Sequence, residues 1–489
     1  MNWNSLDTDR LKKPKRKNKE ENKMLTPVIK EILNRTEAMP GLKVRGWVKT
    51  RRDSKACTFA EINDGSCRAN LQAVFPNDNA EINAELEKVT PGCSVELMGD
   101  LVPSPAKGQK FELSVKSIKV LGLCDPEKYP IQKKKTSDEF LRTIAHLRPR
   151  TNKYAAMLRI RSELAHAIHT YFHDKGFCYV HTPIFTASDC EGAGEVFTAS
   201  AFDFSSLAKL PKNDKGEIDF SRDLFGKQTY LTVSGQLEGE TLATALGRIY
   251  TFGPTFRAEN SNTYRHCAEF WQIEPEMAFY ELEDDMDLAE DFIKSITKHI
   301  IEKAPQDLEL FAKFVEPKLM ESLKNITDNS FQRLPYTEAI KLLEPENKRF
   351  EVKVSWGVDL NSEHERFLVE HYFKKPVILY NKPKEVAAFY MKLNDDGKTV
   401  RGMDVLVPRI GEIIGGSERE NRLEVLEQKM QERKMDMAPY WWFLDLRRFG
   451  SVPHSGFGLG FERMMMLITG ISNIRDVTAY PRVPGYAEF

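Results

Sequence analysis

The sequence predicts an α+β protein in which a small N-terminal β-barrel precedes a larger mixed region of helices and strands. Between Gly41 and Leu123, five short runs alternate apolar and polar residues and are separated by turn signals, a period that belongs to strands. Beyond residue 138 the period changes, and apolar residues recur three and four apart in several stretches with short apolar strands between them. A chain of 489 residues suits about two to four domains, and 41% hydrophobic residues can bury a large core.

Residues 1–24 are polar and carry the run KKPKRKNK, Lys12 to Lys19. Such a block cannot bury a core and is expected to be disordered, either as a solvated tail or as an arm attracting RNA phosphates. The barrel domain is placed at 25–123. Its strands are VRGWV (44–48), FAEI (59–62), LQAVF (71–75), SVELMGDLV (94–102) and FELSVKSIKVL (111–121). Asp64-Gly65, Pro91-Gly92 and SPAKG at 104–108 mark turns between them. Five short strands suit a small closed barrel of the OB-fold kind. A linker rich in Pro, Lys and Asp covers 124–138.

The region 139–489 opens with a helix on which Met157, Ile160, Leu164, Ile168 and Tyr171 share a face, ended by Gly176. The strand FCYVHTPIF follows, running into Pro183. A helical insertion is expected at about 281–345, containing an acidic helix from Glu281 to Lys303 and another around 309–325. A charged helix spans Glu418 to Lys434, and an apolar helix near 461–469 closes the domain.

Composition excludes some classes of protein. No run approaches the roughly 18 apolar residues that cross a bilayer, and the N-terminus has no secretory core, so a cytoplasmic, membrane-free protein is expected. Seven cysteines (57, 67, 93, 124, 178, 190, 267) include no C-x-x-C pair, which points to free thiols and to neither zinc nor disulfides. The net charge of -1 requires any nucleic-acid surface to be locally basic. His166, His169 and His173 share a helical face but have no H-E-x-x-H arrangement or cysteine partners. Met464 to Met466 and the pair Trp441-Trp442 read as packing.

Three segments could carry chemistry. FGPTFRAENSNTYRHCAEFWQIEPE (252–276) reads as strand, polar loop and returning strand, with Arg257 and Glu259 on one face and Phe270, Gln272 and Glu274 on another. It forms either a pocket wall or a surface hairpin with cross-strand charge pairs. HSGFGLGFERMMMLITG (454–470) brings small glycines and Arg463 to the start of an apolar helix, for close ligand approach or for core packing. In GMDVLVPRIGEIIGGSERE (402–420), Asp404 and Glu412 could meet across a hairpin as oxygen ligands for Mg²⁺, or stay on its wet side.

Together these segments resemble the class II aminoacyl-tRNA synthetases. FRAE with its downstream Phe resembles motif 2, GFGLGFERM resembles motif 3, and the helix and strand before Pro183 resemble motif 1, the dimer-forming element. The barrel with GWVKTRRD places the resemblance in the aspartate, asparagine and lysine subgroup. SGQLEGE (234–240), GEIIGGSERE and VPHSGFGLGFER are similar to bacterial asparaginyl-tRNA synthetases. The resemblance implies a catalytic domain built on an antiparallel sheet flanked by helices. It also implies ATP and Mg²⁺ as cofactors, L-asparagine and tRNA(Asn) as partners, and a homodimer.

Site residues follow from the same match. Arg257 and Arg463 would be catalytic, holding the α-phosphate and a further phosphate. Glu259, His266, Phe270 and Gly460 would complete the ATP site, with Phe270 and Arg463 on either face of adenine. Asp404 and Glu412 would hold Mg²⁺. Glu191, Gln236 and Gln272 would accept from the amino group of asparagine, with Glu195 near them. Glu274 would accept from the side-chain amide and Arg419 would donate to its carbonyl. Aspartate would bring a second carboxylate beside Glu274, a repulsion worth roughly 10³-fold. In aspartyl enzymes a lysine stands three residues past the Gln of the QL pair, where this chain has Gly239. Many bacterial asparaginyl enzymes have Asn where this chain has Glu238. On the barrel, Arg52, Phe59 and Gln72 would read the anticodon and its middle uridine, with Lys49, Arg51 and Lys55 on phosphates. The competing readings are a non-discriminating aspartyl-tRNA synthetase, against which Gly239 argues, and a non-catalytic RNA-binding paralogue, against which the intact motifs argue. An asparagine-forming amide ligase on the same catalytic fold would not need the barrel.

Overall fold

The computed structural model describes residues 26–131, 136–190 and 195–489. The basic tail and Glu191 lie outside the described residues. The chain divides into two compact units on either side of the 132/133 boundary.

In the first unit, β1 (Met39–Asp53), β2 (Cys57–Asn63), β3 (Leu71–Pro76), β4 (Ser94–Pro103) and β5 (Phe111–Gly122) close a barrel in the order β1-β2-β3-β5-β4. Alternation is the cause. Leu71, Ala73 and Phe75 of β3 and Val95, Leu97 and Leu101 of β4 point inward and are buried, while Gln72, Val74, Glu96 and Asp100 between them face out. Each of these Leu, Val and Phe side chains contributes about 1.5–3 kcal/mol of burial. Gly99 allows β4 to close on β5, because a Cβ there would collide with the Ser114 carbonyl. Two short helices, Ile29–Leu33 and Ala80–Leu86, escaped the sequence pattern. The second is started by Asn79, whose Oδ1 accepts from the backbone N–H groups of Glu81 and Ile82.

The second unit is built on an eight-stranded sheet. Its strands are β6 (Cys178–Tyr179), β10 (Arg248–Phe256), β11 (Glu269–Ala278), β12 (Gln332–Pro335), β13 (Val377–Pro383), β14 (Thr399–Val407), β15 (Gly411–Glu418) and β16 (His454–Gly460). The order is β12-β13-β14-β15-β16-β11-β10-β6, and only the two edge pairs are parallel. A separate three-stranded sheet joins β7 (Phe185–Thr186), β9 (Thr229–Leu231) and β8 (Thr198–Ala199) in that order. The helix Leu282–Lys303 packs on the strands β14, β15 and β16 and on the helix Asn152–Asp174. On the latter, Met157, Ile160, Leu164 and Ile168 are buried and Tyr171 is partly so. The apolar helix is Phe461–Thr469, and its three methionines fill the core.

Three expected elements differ. FCYVHTPIF is not one strand: Cys178–Tyr179 pairs with β10, and Phe185–Thr186 belongs to the other sheet. Pro183 lies between them and has no N–H with which to extend a ladder. The helix around 309–325 is two helices, Pro305–Phe314 and Leu319–Asp328, separated by Pro317. The charged helix begins only at Leu423, because Glu418 is the last residue of β15 and is fully buried. Lys392 Nζ at 2.5 Å and the Arg401 guanidinium satisfy its carboxylate.

Candidate active site

The strands β11, β16 and β15 lie side by side in the middle of the sheet and form the floor of a cavity of about 270 Å³. Register sets what faces it. Gln272 pairs with Gly460, Glu276 with Gly456, Gly415 with Gly458 and Ser417 with Gly456. Glycine is required where these strands are crowded. A Cβ on Gly416 would stand 2.7 Å from Phe457 Cβ and 2.8 Å from Met403 Cε, and one on Gly456 would collide with the Glu276 carboxyl. Phe270, Gln272, Glu274 and Glu276 alternate along β11 onto the cavity side.

Arg257, Glu259, His266, Phe270, Gly460 and Arg463 all line this cavity, as do Gln236, Gln272, Glu274, Arg419, Asp404 and Glu412. Arg257 follows the end of β10, and its N–H donates to Ala268 O, prolonging the hairpin by one bond. Its guanidinium stands 5.3 Å from the centre of the Phe270 ring. Arg463, in the first turn of its helix, donates from Nη1 to Glu412 O (3.0 Å) and Glu412 Oε2 (3.2 Å). His266 Nδ1 lies 2.6 Å from Thr263 Oγ1, and burial together with the nearby Arg463 charge lowers its proton affinity.

Asp404 and Glu412 converge over Gly415. The position of a Cβ on that glycine is 3.1 Å from Glu412 Oε1 and 3.8 Å from Asp404 Oδ1, so the glycine keeps open a cradle between two carboxylates. Their oxygens suit a hard divalent cation. Lys382 Nζ holds Asp404 Oδ1 at 2.7 Å. Burial pushes the Asp404 carboxyl up to about 6 against the pull of Lys382. Burial opposes ionisation of Glu412 too, but Arg463 and Lys382 overcome it and hold the group below its ordinary value. Among the described residues there is no cluster of three or more His, Cys, Asp or Glu side chains arranged for a metal.

The other end of the cavity holds buried charge. Glu274 accepts from Ser234 Oγ (2.5 Å), Thr251 Oγ1 (2.9 Å) and the Gly235 N–H, which reaches both oxygens. Gln236 Nε2 donates to Glu240 Oε1 at 3.0 Å, which turns its Oε1 elsewhere. Gln272 Oε1 is buried and accepts no hydrogen bond among the described residues. Arg419 is bound by Glu276, with Nε donating to Oε2 at 3.2 Å and Nη2 to Oε1. Burial raises the proton affinity of Glu276 and the guanidinium opposes it. With both oxygens accepting N–H bonds, the ionised carboxylate is the form that fits.

Glu238 does not line the cavity. Its Oε1 accepts from Thr186 Oγ1 at 3.3 Å, and burial raises its proton affinity. Glu195 is exposed, and its backbone carbonyl accepts from Ala258 N–H at 2.9 Å. On the barrel, Arg52 lies opposite Phe59 in register and 5.0 Å over its ring. Phe59 and Gln72 are half-buried on the outward face, with Gln72 Nε2 donating to Glu112 Oε2 at 3.1 Å. Arg51 is differently engaged: it donates to the Leu86 and Val89 carbonyls and to Asp53. The sequence reading missed Arg265, Lys382, Glu240 and Glu276. Of these only Glu276 was discoverable, as the next residue on the face of Phe270, Gln272 and Glu274.

Comparison with known proteins identifies the family. Residues 137–484 match the model for class II tRNA synthetases (D, K and N), and residues 42–121 match the OB-fold nucleic acid binding domain. The asparagine–tRNA ligase of Nitratidesulfovibrio vulgaris Hildenborough is 57% identical over 94% of this chain and 99% of its own length. That of Treponema denticola is 56% identical over 94% and 99%. The structure of asparaginyl-tRNA synthetase from Pyrococcus horikoshii, complexed with asparaginyl-adenylate, superposes with a TM-score of 0.81 at 31% identity, covering 95% of this chain and 99% of that one. With both domains matched and the relatives covered almost end to end, the chain belongs to the class II tRNA synthetases of the D, K and N group and, within it, to the asparagine–tRNA ligases.

Proposed function

We propose that this chain activates L-asparagine with ATP and transfers it to the terminal adenosine of tRNA(Asn). The observation that carries the reading is a single cavity bringing Arg257 and Arg463 together with Gln236, Gln272, Glu274 and Arg419.

The first step sets an anion against an anion, since the asparagine carboxylate attacks the α-phosphorus of ATP. Arg257 and Arg463 offset that repulsion and hold the groups in line. A bond forms from the carboxylate oxygen to phosphorus, the bond to the bridging oxygen breaks, and pyrophosphate leaves. No side-chain base is required, because the attacking group is already ionised. Phe270 stacks on adenine, with Glu259, His266 and Gly460 around the nucleotide. Asp404 and Glu412 would hold Mg²⁺, which would supply charge neutralisation at the phosphates. In the second step a ribose hydroxyl of the tRNA attacks the acyl carbon, and AMP leaves.

Gln236 and Gln272 accept from the asparagine ammonium, with Glu191 as a third acceptor. Glu274 accepts from the amide NH₂ and Arg419 donates to its oxygen. Arg52, Phe59 and Gln72 on the outward barrel face bind anticodon bases. The enzyme works as a homodimer in the cytoplasm, where cysteine thiols outside disulfides are stable. No described helix is long and apolar enough to cross a membrane. Charging of purified tRNA(Asn) and tRNA(Asp) with each amino acid tests the reading. Asparaginylation of tRNA(Asn) alone is expected, and aspartylation of either tRNA at a comparable rate would overturn it.

A further inference from the structure

A guanidinium with uncompensated charge at the side-chain end of the cavity would attract aspartate at least as well as asparagine. Arg419, 2% exposed, is not such a group. Besides its two bonds to Glu276 it donates from Nη1 to Ser417 Oγ at 2.8 Å. Among the described residues, three of its five N–H groups are thereby used and two remain. Behind it, Glu240 lies 3.9 Å from Arg419 Nε, 2.8 Å from Arg447 Nη2 and 3.1 Å from His454 Nε2. The guanidiniums of Arg419 and Arg447 are thus matched by the carboxylates of Glu276 and Glu240, and Glu274 contributes negative charge at the wall.

We propose that Glu276 is a specificity-determining residue: by neutralising Arg419 it leaves N–H groups for an amide oxygen without leaving charge for a carboxylate. This rests on the asparagine-activating reading above and deepens it. Glu274 alone does not account for the refusal of aspartate, because a free Arg419 charge beside it would offset its repulsion. The pairing is built into the backbone. The Glu276 carboxyl fills the space where Gly456 has no side chain, and its Cγ is 3.6 Å from the Cβ position of Gly239. Nothing larger than hydrogen at Gly456 leaves the carboxylate on the guanidinium.

The test is ATP–pyrophosphate exchange by Glu276→Gln with each amino acid. The asparagine-to-aspartate ratio of kcat/KM is expected to fall at least about tenfold, equivalent to ~1.4 kcal/mol. Glu276→Asp, which keeps the charge, is expected to bring the ratio back towards wild type even where both rates drop. Equal losses on both amino acids, with the ratio unchanged within about twofold, would overturn the proposal and leave Glu276 a merely structural residue. Gly456→Ala, which displaces the carboxylate with every charge retained, is expected to shift the ratio in the same direction. Should these variants not fold, the wild-type enzyme decides the matter through inhibition by 2-amino-4-oxopentanoate, a neutral ketone isostere of asparagine. Tighter inhibition by the ketone than by aspartate supports a neutralised Arg419, and equal or tighter inhibition by aspartate refutes it. A wild-type enzyme that activates neither amino acid sinks the underlying activity instead.

Discussion

Alanine in place of Gln272 removes an amide whose Oε1 is buried in the cavity and accepts no hydrogen bond among the described residues. In the free protein that oxygen is a liability, since an unsatisfied buried polar group costs about 1–3 kcal/mol. Truncation sheds this cost and loses some packing, so the two effects oppose each other and stability should move by less than about 1 kcal/mol. Substrate binding is different. A hydrogen bond from an ammonium group is worth about 1.5–3 kcal/mol. Its loss lowers kcat/KM for asparagine by about 10- to 150-fold. Pyrophosphate exchange with varied asparagine at saturating ATP, run beside thermal unfolding, reads both quantities. A variant losing less than about threefold in kcat/KM would refute Gln272 as an ammonium acceptor, and a large drop in Tm would show that the amide serves the fold instead.

Arg257→Ala should abolish adenylate formation while the protein stays folded, and exchange near the wild-type rate would remove Arg257 from the chemistry. Gln72→Ala should raise KM for tRNA and barely affect pyrophosphate exchange, because the side chain lies on the outward barrel face; equal losses in both assays would exclude an anticodon role. Gly416→Ala should destabilise by about 1–3 kcal/mol through overpacking against Phe457 and Met403, read as a lower urea midpoint. An unchanged midpoint would mean that the sheet yields there.

What was legible in the sequence follows from the range over which each feature is determined. Alternation along single strands gave the five barrel strands and placed Phe270, Gln272 and Glu274 on one face. The apolar period of 461–469 gave its helix. Where local signals compete, the reading slipped. The charged run from Glu418 looks helical by composition, yet β15 runs to Glu418, where Lys392 and Arg401 satisfy its carboxylate inside the sheet. Pairings between distant segments were not legible at all. Arg419 meets Glu276 across 143 residues and Arg463 meets Glu412 across 51. No periodicity records which charge neutralises which, and that pairing decides what each half of the cavity attracts.

Placement on strands gives those pairings their force. A guanidinium on a mobile loop could turn towards whichever anion arrived, and its selectivity would be weak. Arg419 lies just beyond β15, its backbone N–H bonded to His454 O at 2.8 Å, and Glu276 is fixed on β11 with β16 between them. Neither can relax towards an aspartate without breaking a ladder or stranding a buried charge, a loss of about 3–5 kcal/mol for a broken buried pair. The nucleotide half has no such burden, because every ATP carries the same phosphates, and there Glu259 and His266 come from the loop between β10 and β11. The residues that choose between two amino acids therefore sit on or directly beside paired strands, whereas the nucleotide site draws only part of its lining from a loop and the rest, Phe270 and Arg463, from β11 and a helix.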